Sequence, residues 1–215
     1  RLDVASPLTP MLLVGPPGTG KTQFSLDLAT CLQTPAKLVQ FDADITSSRL
    51  GGGDKQWSNS EAGDVFNEVV LGAYANPMFV LDEIDKCRNS HINGDPRSVL
   101  HSLLERTTAA KFRDSFAGIE FDASHVSWVC TANNEQSIPS SLLSRMKIYH
   151  IEQPTGEDAL LVAMSVFAQT AMKLNIHDFQ DPPMRVIYRV AHLSAREICA
   201  EARHAIGRAL VAGRK

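Results

Sequence analysis

"GPPGTGKT" at residues 15–22 follows the apolar run "MLLV" (11–14) and precedes a stretch with helical spacing. It has the form G-x-x-x-x-G-K-[ST], and a strand before with a helix after is the setting in which that form binds phosphate. Its glycines let backbone N–H groups curl around phosphate oxygens, and the helix start adds partial positive charge. Gly15, Pro16, Pro17, Gly18, Thr19 and Gly20 form the expected cradle. Lys21 would place its ammonium on the β- and γ-phosphates, and the Thr22 hydroxyl would ligate Mg²⁺. The bland alternative is a glycine-rich strand-to-helix turn, but the four fixed positions should arise in about one chain in a hundred or fewer.

The second half of such a site is an apolar strand ending in acids, and "MFVLDEID" (78–85) supplies it. Asp82 would hold Mg²⁺ through a water, and Glu83 would orient and polarise the attacking water. The competing reading is an acidic strand end that caps the next helix. A carboxylate beside the magnesium acid favours hydrolysis over phosphoryl transfer to another acceptor. No N-K-x-D guanine-reading motif is present, so ATP and ADP are the expected nucleotides.

Further out, "MLLVG", "KLVQFDA", "MFVLDEID", "VSWVCTAN" and "KIYHIEQ" are short apolar runs bounded by turn or charged residues. That is the pattern of buried parallel strands. Between the first two, Phe24, Leu28 and Leu32 recur every four residues and predict a helix with that face buried. Val65, Phe66, Val69 and Val70 predict another across 61–75. Strands alternating with helices argue for an α/β fold with a parallel sheet covered on both faces.

After residue 153 the strand signal disappears. Thr155 with Asp158 reads as a capping box, followed by Leu160, Met164, Phe167, Ala171 and Leu174 at helical spacing. A short helix is expected in "DPPMRVIYRVAHL", and Ser194 with Glu197 should cap a last one carrying Ile198, Ala202, Ala205 and Ala209. The expected organisation is an α/β domain over 1–153 and a small helical domain over 154–215.

Bulk properties narrow the function classes. A net charge of −3 and a pI near 6.2 provide no electrostatic footprint for nucleic acid. No apolar run approaches a membrane span, so neither a membrane nor a nucleic acid is an expected partner. Cys31, Cys87, Cys130 and Cys199 lie far apart without a C-x-x-C pair. They read as buried free thiols in a reducing, cytoplasmic compartment. The histidines show no metal-site spacing, so no structural zinc is expected. The chain opens on Arg1 rather than methionine, which suggests a fragment or a processed product.

"GPPGTGKT", "VLDEID", "CTANN" and "SLLSRM", in this order, resemble an AAA+ ATPase. The likeness is greatest to the ATPase module of Lon proteases. "GDPRSVLHSLLE" (94–105) is similar to their G-D-P-[SA]-S-A-x-L-E segment, and "KFRDSFAGIEFDASHVSWVCTANN" (111–134) to their N-F-x-D-x-Y stretch and following strand. "SIPSSLLSRMKI" (137–148) is similar to their T-I-P-x-P-L-x-D-R-M-E. The resemblance implies a P-loop NTPase of the AAA+ type: a three-layer α/β sandwich with a parallel sheet, followed by a small all-helical lid.

It also implies roles for single residues. Asn133 would be the sensor that hydrogen-bonds the γ-phosphate or the lytic water, with Asn134 a second candidate. A turn-forming asparagine after a strand is the alternative use of that residue. Arg145 would be an arginine finger reaching the γ-phosphate of the adjacent subunit, where a fork of donors spreads charge over transition-state oxygens. Otherwise it is a surface ion-pair residue. Arg196 lies in the pattern [VA]-R-x-[LI], whose arginine contacts nucleotide from the lid. In the first helical turn the macrodipole disfavours a cation by about 0.3–1 kcal/mol, and a bound anion would reverse that sign.

The stretch "GGGDKQWSNS" (51–60) places Trp57 among residues that cannot build a core. Counted from Gly52, Trp57 falls where Lon-like rings carry a pore aromatic in G-x-x-x-x-[YF], which grips the substrate chain. Ser58 departs from the usual aliphatic or small follower, and the alternative is an indole folded back on its own domain.

Two further departures bear on the expected activity. Lon proteases continue into a peptidase domain with a serine–lysine pair, which is absent from these residues; no peptidase activity is expected of them alone, and whether a peptidase domain or partner lies outside them is left open. The segment that usually helps to hold adenine is reduced here to "RLDVASPLTP", which predicts weaker nucleotide affinity. The expected activity is Mg²⁺-dependent ATP hydrolysis in a ring, expected to be hexameric, that pulls on a polypeptide. The rivals are a DNA-remodelling motor, disfavoured by the slight acidity, and a nucleotide-dependent assembly switch that would leave Glu83, Asn133 and Arg145 idle.

Overall fold

Five of the apolar runs form one parallel sheet in the computed structural model, which describes residues 6–42, 45–58, 60–87, 95–176 and 181–211. The strands are β1 (Met11–Val14), β2 (Ala36–Gln40), β3 (Met78–Asp82), β6 (Ser127–Ala132) and β7 (Lys147–His150), in the order β2-β3-β6-β1-β7. Every residue of β3 and β6 is buried, whereas β2 and β7 at the edges are largely exposed. The unbroken apolar character of "MFVL" and "WVC" follows from that central placement, because a central strand has no face in water. A small antiparallel hairpin, β4 (Phe112–Arg113) with β5 (Glu120–Phe121), leads into β6. Phe79 and Trp128 stack side by side in the core, ring centroids 5.0 Å apart.

Helices flank the sheet: α1 (Lys21–Cys31), α2 (Ser48–Gly51), α3 (Asp64–Phe66), α4 (Leu100–Leu103), α5 (Arg106–Ala109) and α6 (Ser140–Leu143). α3 widens into a π-helical turn over Asn67–Leu71, so the expected helix across 61–75 is shorter and looser than its apolar spacing suggests. α1 rests on β2, β3 and β6 through Lys21, Ser25 and Ala29. The face expected to be buried is therefore wrong: Phe24 is 53% exposed and Leu32 is exposed as well. Small side chains bring the helix close to the sheet, and the Ser25 hydroxyl is satisfied locally by the Lys21 carbonyl at 2.9 Å.

The chain divides into two compact units. One holds the sheet, up to Gly15 and from Lys21 to His150; the other holds Pro16–Gly20 and the chain from Ile151 onward. In the second, α7 (Gly156–Lys173), α8 (Met184–Val190) and α9 (Ala195–Val211) enclose a core of Ala163, Phe167, Ile187, Val190, Ile198 and Ala202. Ser194 and Glu197 form the expected capping box, with Ser194 N and Oγ donating to Glu197 Oε2 at 2.9 and 2.7 Å. These bonds from Ser194 hold the exposed Glu197 carboxyl below the usual carboxylate range. Thr155 does stand at the start of α7, but its hydroxyl makes no cap bond, contrary to the expected box.

Cys87 and Cys130 are buried, while Cys31 is exposed and Cys199 half-buried, so the reading of four buried thiols holds for two. No helix among the described residues is long and apolar enough to cross a membrane.

Candidate active site

Parallel pairing makes the carboxyl ends of β1, β3 and β6 converge, which is where open α/β sheets bind ligands. Val14 lies beside Ala132, and Leu81 beside Cys130. The ladder continues past the strand ends, with Gly15 N donating to Ala132 O at 3.2 Å and Ile84 N to Thr131 O at 3.0 Å. Gly15 after β1, the acids after β3 and the asparagine after β6 are thereby gathered by backbone register alone.

Two hydroxyls meet on one carboxylate oxygen. Thr22 Oγ1 donates to Asp82 Oδ1 at 2.7 Å, and Thr131 Oγ1 donates to the same atom at 2.6 Å. Thr131 Oγ1 also accepts the Glu83 backbone N–H at 3.0 Å. Glu83 adopts φ +57°, an uncommon left-handed conformation for a residue with a side chain. Such strain persists only where surrounding bonds over-determine it, often at functional sites. Here the hydrogen bond from the Glu83 N–H to Thr131 Oγ1 helps to hold it.

A second string crosses the site. Lys21 Nζ donates to Gly15 O at 2.8 Å and to Asn133 Oδ1 at 3.3 Å, and Asn133 Nδ2 lies 3.5 Å from Glu83 Oε1. Glu83 Oε1 also stands 3.6 Å from Lys86 Nζ. Burial lowers the Lys21 pKa, opposed by the carboxylates of Asp82, Asp85 and Glu83. The Asn133 amide is pinned from below, because Asp85 Oδ2 accepts its N–H and that of Asn134 at 3.1 and 3.2 Å. Asn134 itself is committed elsewhere: its Oδ1 accepts from Gln136 N at 2.9 Å and caps the short helix at 135–137.

In the turn, Gly18 and Gly20 have φ of +81° and +84°, which only glycine adopts without strain. Gly18 is also constrained by space, since a Cβ there would meet the Ser194 Cβ at 2.7 Å. The Gly18 carbonyl accepts from Ala195 N at 3.3 Å. The start of α9, where Arg196 is exposed, is thus tied to the turn.

Arg145 follows α6. Its Nη1 donates to Ser141 O, and its Nη2 lies 3.6 Å from Glu105 Oε2. Trp57 is 74% exposed.

The paired oxygens of Thr22 and Asp82 are the hard donors that Mg²⁺ prefers. They would hold the ion, which would supply charge neutralisation at the phosphate oxygens. Thr131 and Asp85 are the residues that sequence reasoning missed. For Thr131 the available signal is a polar side chain in "SWVCTA", where every other core position is apolar or small.

Comparison with known proteins agrees with this geometry. Residues 11–153 match the family described as "ATPase family associated with various cellular activities (AAA)". The chain belongs to that family. Within it the chain is a Lon-like module. It is 32% identical over 165 residues to the Lon protease of Borrelia duttonii, covering 77% of this chain and 20% of that protein. With the Lon protease of Methanosphaera stadtmanae it shares 34% over 148 residues, 69% of this chain and 18% of the relative. With the peroxisomal Lon protease homolog 2 of Eremothecium gossypii the identity is 30% over 175 residues, 78% and 17% of the two chains. The chain therefore spans about a fifth of the length of the curated relatives it matches.

Proposed function

We propose that this chain is the motor module of a ring, hexameric by its resemblance to Lon, that hydrolyses ATP with Mg²⁺ to unfold and translocate polypeptides. The observation that carries the proposal is the convergence on Asp82 Oδ1 of Thr22 and Thr131, beside the Lys21–Asn133–Glu83 string. Lys21 and the turn amides bind the phosphates. Glu83, backed by Asn133, accepts hydrogen bonding from the attacking water and orients it for in-line attack. Asp82 is held in orientation by two hydroxyl donors, Thr22 and Thr131. Arg145 completes the site of the neighbouring subunit, and Arg196, next to Ala195 whose N–H is bonded to the Gly18 carbonyl, answers the nucleotide's charge.

Trp57 is the substrate contact. An exposed indole on a glycine-rich loop gives sequence-tolerant apolar grip on an extended chain. A peptidase domain or partner outside these residues would receive what the ring threads. The slight net negative charge supports a polypeptide substrate over a nucleic acid.

The test is ATP-driven loss of fluorescence from a folded reporter fused to an unstructured tail, run on assembled rings. Trp57→Ala should raise the ATP consumed per reporter unfolded. Steady ATP turnover with no unfolding of any tailed reporter would reject the motor reading, and a Trp57→Ala ring that unfolds at the wild-type cost would reject the grip.

A further inference from the structure

Asp114 is fully buried between the two glycine-bearing loops of the sheet unit. Its carboxylate meets three backbone N–H groups: Oδ2 accepts from Gly63 at 2.8 Å, and Oδ1 from Phe116 and Ala117 at 2.9 and 2.7 Å. Gly63 closes the loop that carries Trp57, while Phe116 and Ala117 lie in the turn of the β4–β5 hairpin. The opening of the Trp57 loop touches the same group. Gly52, at φ +79°, packs so tightly that a Cβ there would stand 2.4 Å from Asp114 Oδ1. The neighbouring backbone adds a cross-link, Ser115 N to Gly51 O at 2.8 Å. Both ends of one loop and the turn of another therefore converge on a single side chain.

The choice of a carboxylate is informative. A buried charge satisfied only by backbone amides is costly unless every acceptor site is used. An asparagine of the same shape would turn an N–H toward at least one of these donors. At the outer ends the two loops also meet, with Lys55 Nζ 5.9 Å from the Phe116 ring centre. On the same two loops, Trp57 and Ile119 are both exposed.

We propose that Asp114 is a positioning residue that clamps the Trp57 loop to the hairpin turn, so that Trp57 and Ile119 meet an extended polypeptide as one rigid apolar surface. The inference rests on the reading of Trp57 as the substrate contact. Rigidity matters because a grip transmits force only through backbone that does not yield. Loss of one charge-assisted bond at the clamp should raise the loosened population of the loop by about tenfold.

The experiment uses 5-fluorotryptophan, which labels only Trp57 and Trp128. In Asp114→Asn the Trp57 ¹⁹F resonance should shift and sharpen while that of buried Trp128 stays in place. Gly52→Ala, which pushes the carboxylate from the other side, should do the same. In assembled rings, both variants should raise the half-saturating concentration of a reduced, alkylated polypeptide that stimulates ATPase by about tenfold, with basal turnover retained. An unmoved Trp57 signal in both variants overturns the clamp. A moved signal with unchanged polypeptide stimulation keeps the clamp and overturns the substrate role of Trp57, so the two failures are distinguishable. If both variants also displace the Trp128 signal, Asp114 is a general core residue and the proposal fails.

Discussion

Thr131 holds Asp82 in place from inside the sheet: its hydroxyl donates to Asp82 Oδ1 over 2.6 Å and takes the Glu83 amide at 3.0 Å. One buried oxygen thus fixes both acids. Thr131→Val preserves shape but leaves the Glu83 N–H without this acceptor and Asp82 with one donor fewer. The expected cost is about 1–3 kcal/mol in folding stability. ATP turnover should fall by about 10–100-fold, the usual effect of losing a partner that orients a metal-site residue. Urea unfolding and steady-state ATPase on one preparation check both, and wild-type turnover would mean the acids orient themselves.

Glu83→Gln should leave Mg·ATP binding intact and abolish turnover. The phosphate turn, Lys21 and the Thr22–Asp82 pair are untouched, while the attacking water loses its anionic partner. Nucleotide affinity by calorimetry beside phosphate release is the measurement. Substantial turnover in the variant would remove Glu83 from the chemistry.

How much of this was legible before the structure depends on the range of each signal. The phosphate turn and the five strands were readable because their determinants are local: glycine spacing, apolar runs, charged ends. The burial of α1 was not. Phe24 and Leu32 of the four-residue apolar repeat are exposed and Leu28 only half-buried, because close approach to the sheet is decided by the small Ser25 and Ala29. Thr131 and Asp114 escaped for a related reason. Each acts on atoms roughly fifty positions away in the chain, and no periodicity within one segment reports such a bond. The roles of Arg145 and Trp57 came from resemblance, because no local pattern of apolar spacing or charge specifies a contact with another chain.

Acid should weaken the segment just past β3. Burial opposes ionisation of Asp95, but hydrogen bonds from the buried Arg97 overcome it and hold the carboxyl below the usual range. Arg97 Nη1 in turn donates to Ser137 O at 2.8 Å, fastening the segment after β6. Because the folded-state pKa is depressed, the pair's contribution is present above the ordinary carboxylate pKa. It is lost as pH falls through the lowered value. Asp95→Asn should therefore cost about 2 kcal/mol at neutral pH, and the gap from wild type should close at strongly acidic pH. Chemical unfolding at the two pH values tests the sign, and a constant gap would contradict it.

Thiol reactivity should split the cysteines. Burial pushes the thiol of Cys87 up to about 11 and that of Cys130 up to about 12, so neither presents thiolate at neutral pH. Cys31 is exposed at the end of α1. A chromogenic disulfide reagent on the native chain should modify Cys31 first, and Cys87 and Cys130 only on unfolding. Mass mapping of the labelled peptides checks the order; early labelling of Cys130 would mean that β6 opens in the native state.

Arg145 should act on a site other than its own. In the single chain its guanidinium is parked, donating to Ser141 O and lying 3.6 Å from Glu105. A half-exposed pair of this kind is worth under about 1 kcal/mol, so the arginine can leave it for a phosphate at little cost. Arg145→Ala should slow hydrolysis by up to about 10³–10⁵-fold, the range of arginine fingers, with nucleotide affinity at the subunit's own site unchanged. Specific activity of the wild-type chain should rise with protein concentration as rings assemble. Mixing gives the sharper test. An Arg145→Ala subunit keeps a sound site, and a Glu83→Gln subunit keeps its finger. Together they should recover turnover that neither shows alone, because the finger of one then faces the site of the other. A co-assembled mixture that stays inactive would place Arg145 in its own subunit's structure and out of the shared site.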